Sequence, residues 1–130
     1  MAFLKVVLIL PTYNERHNIG NMIEALQVQF GKILIPHDMH ILVVDDSSPD
    51  GTADIVREKQ STYANVHLLM GQKKGLGAAY VRGMIYAMDK LQADAVFEMD
   101  ADFSHKPEDV PRLMAALDQG ADFVIGSRYV

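Results

Sequence analysis

"HILVVDDSSPDGT", residues 40–52, is an apolar run that stops on two carboxylates and then breaks into turn chemistry. A short run rich in Ile, Leu and Val reads as a buried strand. Pro49-Asp50-Gly51 reads as a turn, which makes Asp50 and Gly51 structural residues rather than catalytic ones. A helical pattern starts at Thr52. Strand, polar loop and helix in that order form the repeating unit of a parallel sheet.

The unit recurs along the chain. Residues 6–10, 66–70, 95–99 and 123–125 are further strand candidates. Ile19, Met22, Ile23, Leu26 and Phe30 keep the spacing of one helix face, and so do Val110, Leu113, Met114 and Leu117. Residues 52–59 and 78–91 read as two more helices. Asn18 is expected to cap the first helix, and Pro107 fits the first turn of the last. Five strands alternating with four helices predict an α/β fold with a mostly parallel sheet and right-handed crossovers. Strands this continuously apolar are covered by helices on both faces.

Composition narrows the function classes. A chain of 130 residues, 49% hydrophobic and 22% charged, is one globular domain. A net charge of −5 argues against a broad surface for nucleic acid or anionic lipid. With no cysteine there is neither a disulfide nor a thiolate metal site, which fits the cytoplasm. The apolar start "MAFLKVVLIL" has one basic residue and turns polar at "PTYNER" without a cleavage site, so it reads as a first strand, not a signal peptide. No apolar run approaches the roughly 20 residues of a membrane helix.

The polar chemistry follows the strands. "PTYNE" comes after the first, "DDSSPDGT" after the second, "GQKKGLG" after the third, "DADFSHKP" after the fourth and "GSRY" after the fifth. In a parallel sheet these loops share the carboxyl edge, where open α/β sheets bind ligands. Asp100 and Asp102 are two apart, so in an extended segment they face one way. Hard oxygen donors at that spacing suit Mg2+ or Mn2+ completed by substrate phosphates. The alternative is a solvated acidic turn. One carboxylate of Asp45 and Asp46 can face the site and accept from a base or ribose. Gly75-x-Gly77 lets backbone amides approach an anion, although Tyr80 stands where a dinucleotide fingerprint needs glycine. Lys73 or Lys74 could contact phosphate, and Arg128 could neutralise a diphosphate opposite the cation. His17, His37, His40, His67 and His105 lack metal-ligand spacing; His105 alone lies near the acidic motif.

Taken in order, "LPTYNERHNI", "VVDDSSPDGT", "KKGLGAAYVRGM", "MDADFSHKPEDVPRL" and "GSRY" closely resemble the family 2 glycosyltransferases. Within them they look like dolichol-phosphate mannose synthases and their polyprenyl-phosphate relatives. The resemblance covers residues 6–130 and implies a GT-A-type, Rossmann-like sheet. It also implies metal-dependent, inverting transfer of mannose from GDP-mannose to a dolichyl or polyprenyl phosphate. By motif, Pro11, Tyr13 and Glu15 match nucleotide-binding residues, and Val44 and Asp46 match positions lining the guanosine pocket. Asp100, Ala101 and Asp102 match the motif for metal and diphosphate, and Arg128 matches a phosphate-contacting arginine. Ser104, a poorer metal ligand, stands where some relatives carry glutamine.

Catalytic domains of this family run well beyond residue 130. Residues 1–130 are therefore expected to be the nucleotide-sugar-binding part of a truncated GT-A domain, binding donor but transferring sugar poorly. The full-length protein is expected to be cytoplasmic and peripheral at the cytosolic face of the membrane, held there by the missing part or a partner subunit. A phosphate acceptor, with a second pKa near 6, is largely a dianion at neutral pH and needs no general base. A response-regulator receiver fails because its opening acidic strand would start at residue 41, leaving residues 6–35 unexplained. A nicotinamide-dependent dehydrogenase fails on the glycine pattern. Another donor such as UDP-glucose, or a silent nucleotide-binding domain, would carry the same motifs.

Overall fold

A computed structural model describes residues 3–72 and 75–119. Strands and helices alternate as β1 (Lys5–Thr12), α1 (Arg16–Phe30), β2 (Asp38–Asp45), α2 (Thr52–Thr62), β3 (Val66–Met70), α3 (Leu76–Asp89) and β4 (Ala95–Glu98). A 3-10 turn (Pro107–Asp109) then leads into α4 (Val110–Asp118). These strands form one parallel sheet in the order β3-β2-β1-β4. The chain builds outward from β1 through β2 to β3, then returns to lay β4 on the other side of β1. That reversal opens a crevice at the carboxyl ends of β1 and β4.

Strand periodicity sorts the core into two layers. Val6, Leu8 and Leu10 of β1, with Ile41 and Val43 of β2, pack against Ile19, Met22, Ile23 and Leu26 of α1, Val56 of α2, and Leu113 and Met114 of α4. Val7, Ile9, Leu42 and Val44 point to the other face and meet Ala79 and Ala87 of α3. Small residues on α3 let that helix come close to the sheet. At Gly83 an added Cβ would lie 2.8 Å from Ile9 Cγ2 and 3.0 Å from Val44 Cγ2.

Several local expectations change: β1 runs over residues 5–12 and not 6–10, and Pro107 sits in the 3-10 turn ahead of α4 and not in that helix's first turn. Asn18 does not cap α1: Glu15 holds the N-cap position, and its carbonyl accepts from Asn18 N at 3.0 Å and Ile19 N at 2.8 Å. β2 runs over residues 38–45, further in both directions than 40–44, because it pairs with β1 along its whole length. β4 stops at Glu98, the last partner of Ile9, so Asp100 and Asp102 lie beyond the strand in a turn. Their common direction is thus set by the turn and not by an extended backbone. Both α2 and α3 also differ from their expected ranges by two or three residues at an end. The strand candidate at 123–125 lies outside the described residues.

Candidate functional site

The ends of β1 and β2 are tied together by side chains. Thr12 and Asp45 face each other in the strand register. Thr12 Oγ1 donates to Asp45 Oδ1 at 2.8 Å, Ser48 Oγ donates to the same oxygen at 2.6 Å, and Ser48 N donates to Oδ2 at 2.9 Å. Asp45 is fully buried and its acceptors are engaged, which makes it structural. Asp46 is the carboxylate that reaches the site. It forms an ion pair with the Arg82 guanidinium of α3, and the carboxylate side is only 8% exposed.

The second loop also holds the first. Ser48 Oγ accepts from Asn14 N at 2.9 Å, Thr52 Oγ1 from Glu15 N at 3.1 Å, and Asp50 Oδ2 from Arg16 N at 3.2 Å. Asp50 Oδ1 accepts from Thr52 N at 3.0 Å. The Thr52 hydroxyl above all, with the amides of Arg16 and Thr52, holds the Asp50 carboxyl below the usual carboxylate range. Gly51 has φ of 89°, the left-handed conformation that glycine reaches without a steric penalty. Asp50 and Gly51 are structural, as their turn chemistry implies.

Beyond β4 the acidic turn is held from several sides. Tyr80 of α3 donates its hydroxyl to Asp100 Oδ1 at 3.2 Å. Burial, then the charge of Asp100, pushes the Tyr80 phenol well above its usual value, so it stays a donor at neutral pH. Ser104 bridges the two acids: its hydroxyl donates to Asp100 Oδ2 and its amide to Asp102 Oδ1, each at 3.0 Å. The nearby Ser104 hydroxyl, and then the Ser104 amide, hold the Asp102 carboxyl below the usual carboxylate range.

These segments enclose one cavity of about 330 Å³, lined by Pro11, Tyr13, Glu15, Asp46, Asp100, Ala101 and Asp102 together with Thr12, Gly75 and Ala79. Seven of the residues named from sequence therefore meet in one place. Val44 does not line it; that side chain is fully buried beneath α3, because strand alternation turns it into the core. Lys73, Lys74 and Arg128 lie outside the described residues. Arg82 and Tyr80 were not among the expected site residues. The spacing of α3 could have found them, since both stand within a turn or two of Gly75, whose backbone borders the cavity.

Four carboxylates on one cavity need positive charge. Arg82 answers Asp46. Among the described residues no group of three or more His, Asp or Glu side chains could hold a metal by itself. Two adjacent carboxylates in a phosphate-sized space suit a Mg2+- or Mn2+-type ion that takes its remaining ligands from substrate oxygens and water, so the donor set fits such an ion. Gly75 at the start of α3 adds a helix N-terminus on the same wall, a position that favours anions.

Comparison with known proteins agrees with this geometry. The family model described as Glycosyl transferase family 2 matches residues 7–130. An undecaprenyl-phosphate mannosyltransferase of Micrococcus luteus is 42% identical over 130 residues, covering 98% of this chain and 49% of that protein. A polyprenol monophosphomannose synthase of Mycolicibacterium smegmatis is 42% identical over 128 residues, covering 97% and 46%. This chain thus spans just under half the length of those relatives. Among solved structures, a mannosyltransferase of Pyrobaculum calidifontis in complex with GDP-Man and Mn2+ superposes with a TM-score of 0.61 at 26% identity, covering 78% of this chain and 28% of that one.

Proposed function

The chain belongs to glycosyl transferase family 2, and from that premise we propose that it is the donor-binding part of a polyprenyl-phosphate mannosyltransferase of GT-A fold. The donor is GDP-mannose and the acceptor is the phosphate of a polyprenol or dolichol. The observation that carries this reading is the meeting of Tyr13, Glu15 and Asp46 with Asp100 and Asp102 in one cavity at the strand-order reversal.

In this reading Asp46, oriented by Arg82, accepts hydrogen bonds from the nucleoside end, with Tyr13 and Glu15 beside it. Asp100 and Asp102 hold the cation–diphosphate end, with the first amides of α3 facing the same anion. A bound Mg2+ or Mn2+ supplies Lewis-acid stabilisation of the charge on the departing diphosphate. Arg128 is assigned to that same charge. An acceptor phosphate oxygen displaces GDP from the mannose anomeric carbon in one inverting step, and the acceptor's own ionisation replaces a catalytic base. The lipid tail of the acceptor sets the reaction at a membrane surface. No helix among the described residues is long and apolar enough to cross a membrane.

The test is calorimetric titration of GDP-mannose and UDP-glucose into the chain, with and without Mn2+, for the parent and Asp102→Asn. Mn2+-dependent preference for GDP-mannose, lost in the variant, is the expected result. Equal binding by parent and variant in Mn2+ overturns the cation assignment, and a preference for UDP-glucose overturns the donor.

A further inference from the structure

The turn after β4 contains a conformation that a bulky residue adopts only at a cost. Phe103 has φ of 65°, in the left-handed region. Such a turn keeps its shape where its surroundings over-determine it. Ser104 supplies two of the restraints, through its bonds to Asp100 and Asp102. The Tyr80 hydroxyl supplies another, and a further one comes from the ring of His105. Asp100 N donates to His105 Nδ1 at 2.9 Å.

Because Nδ1 accepts, the neutral imidazole carries its proton on Nε2. That nitrogen lies 3.9 Å from Asp100 Oδ2. One ring therefore faces both the amide and the carboxylate of the same residue. The His105 side chain is 12% exposed. It also borders a second cavity of about 290 Å³, walled by Phe97, Lys106 and Leu113. His105 is not among the residues lining the donor cavity.

We propose that His105 is a positioning residue: by accepting the Asp100 amide it fixes the turn in which Asp100 and Asp102 both face the donor cavity. The proposal rests on the reading of those two carboxylates as the cation–diphosphate end of the site. Its chemistry is that of an outer group that orients a ligand it does not itself replace.

The test compares the parent with His105→Asn, His105→Phe and Asp102→Asn in the full chain. Asparagine keeps an acceptor near the Nδ1 position, whereas phenylalanine keeps the ring and loses the acceptor. Free Mn2+ is read by electron paramagnetic resonance, and GDP-mannose affinity is measured with and without Mn2+. His105→Phe should weaken Mn2+ binding on the order of tenfold or more, with His105→Asn within about threefold of the parent. Metal-free GDP-mannose affinity should be alike in the parent and the two His105 variants. Parent-like Mn2+ binding in His105→Phe, or an asparagine variant as weak as the phenylalanine one, overturns the proposal and leaves the cation reading standing. Parent-like Mn2+ binding in Asp102→Asn overturns the cation reading, and this proposal with it. Hydrogen exchange on the parent decides the matter if His105→Phe does not fold. A protected Asp100 amide supports the clasp, and exchange at the rate of an open peptide overturns it.

Discussion

Replacing Gly83 with alanine adds one methyl group at the point where α3 rests on β1 and β2. In an unconstrained helix interior the change favours the folded state by about 1 kcal/mol. Here the new Cβ would meet Ile9 Cγ2 at 2.8 Å, Val44 Cγ2 at 3.0 Å and Ile9 Cδ1 at 3.3 Å. Ile9 and Val44 are fully buried, so the helix must move away from the sheet or both side chains must leave their rotamers. Overpacking of that kind costs about 1–3 kcal/mol. Taking the middle of the range, the net effect is a loss of about 1 kcal/mol. Gly77 is the control on the same helix, since among the described residues its added Cβ would meet nothing within 4 Å. Gly77→Ala should therefore gain about 0.5–1 kcal/mol. Urea unfolding followed by far-ultraviolet circular dichroism reads both, provided the two variants share the parent's m-value. A Gly83→Ala protein as stable as Gly77→Ala would refute the close seating of α3. The seating bears on function, because α3 carries Tyr80 and Arg82 to Asp100 and Asp46.

Arg82→Met should cost about 3 kcal/mol by leaving the nearly buried Asp46 carboxylate unpaired, and Asp46→Asn in the same chain should recover much of it; a double-mutant cycle with no coupling would contradict the pair. Thr12→Val removes a hydroxyl donor from buried Asp45 at nearly constant shape and should cost about 1–2 kcal/mol in urea unfolding, so a neutral result would argue against the Asp45 tie. Burial, and then the His40 ring 2.9 Å away, hold His67 below the usual imidazole range. The unfolded chain accordingly binds more protons there as pH falls through about 6.5, so stability declines on acidification and levels off below the folded-state value. Melting temperatures of His67→Gln should slope less than the parent's between about pH 7 and pH 5, and an equal slope would exclude His67 as the source.

The sheet was legible because its signal is repeated: each apolar run ends in polar residues, and parallel pairing sends all those ends to one edge. That is why Pro11, Glu15, Asp46 and Asp102, far apart in sequence, reach one cavity. What sequence could not settle was decided by partners distant along the chain. By residue type alone Asp45 and Asp46 look equivalent, and only the motif match singles out Asp46; in the fold Thr12 claims the first across the strand register and Arg82 the second from α3. The start of α1 was misplaced at Asn18 because its first amides are met by Thr52 and Asp50 of another loop, not by a local cap. Val44 was matched to the pocket by motif, but strand alternation turns it beneath α3. The turn at Asp100 depends on a left-handed Phe103, a conformation that nothing in the residue's own chemistry favours.

Ser48, Thr52 and Asp50 take the backbone amides of three consecutive residues, Asn14, Glu15 and Arg16, from the neighbouring loop. A loop left free would surrender about 1–2 kcal/mol of conformational entropy per residue on closing around a ligand. In this chain the loss at those residues is incurred during folding, before any ligand arrives. If the proposed nucleotide reading holds, contacts made at the nucleoside end pass into affinity with little deducted for ordering. The β1 and β2 loops act as one rigid wall, against which a ligand fits without having to shape it.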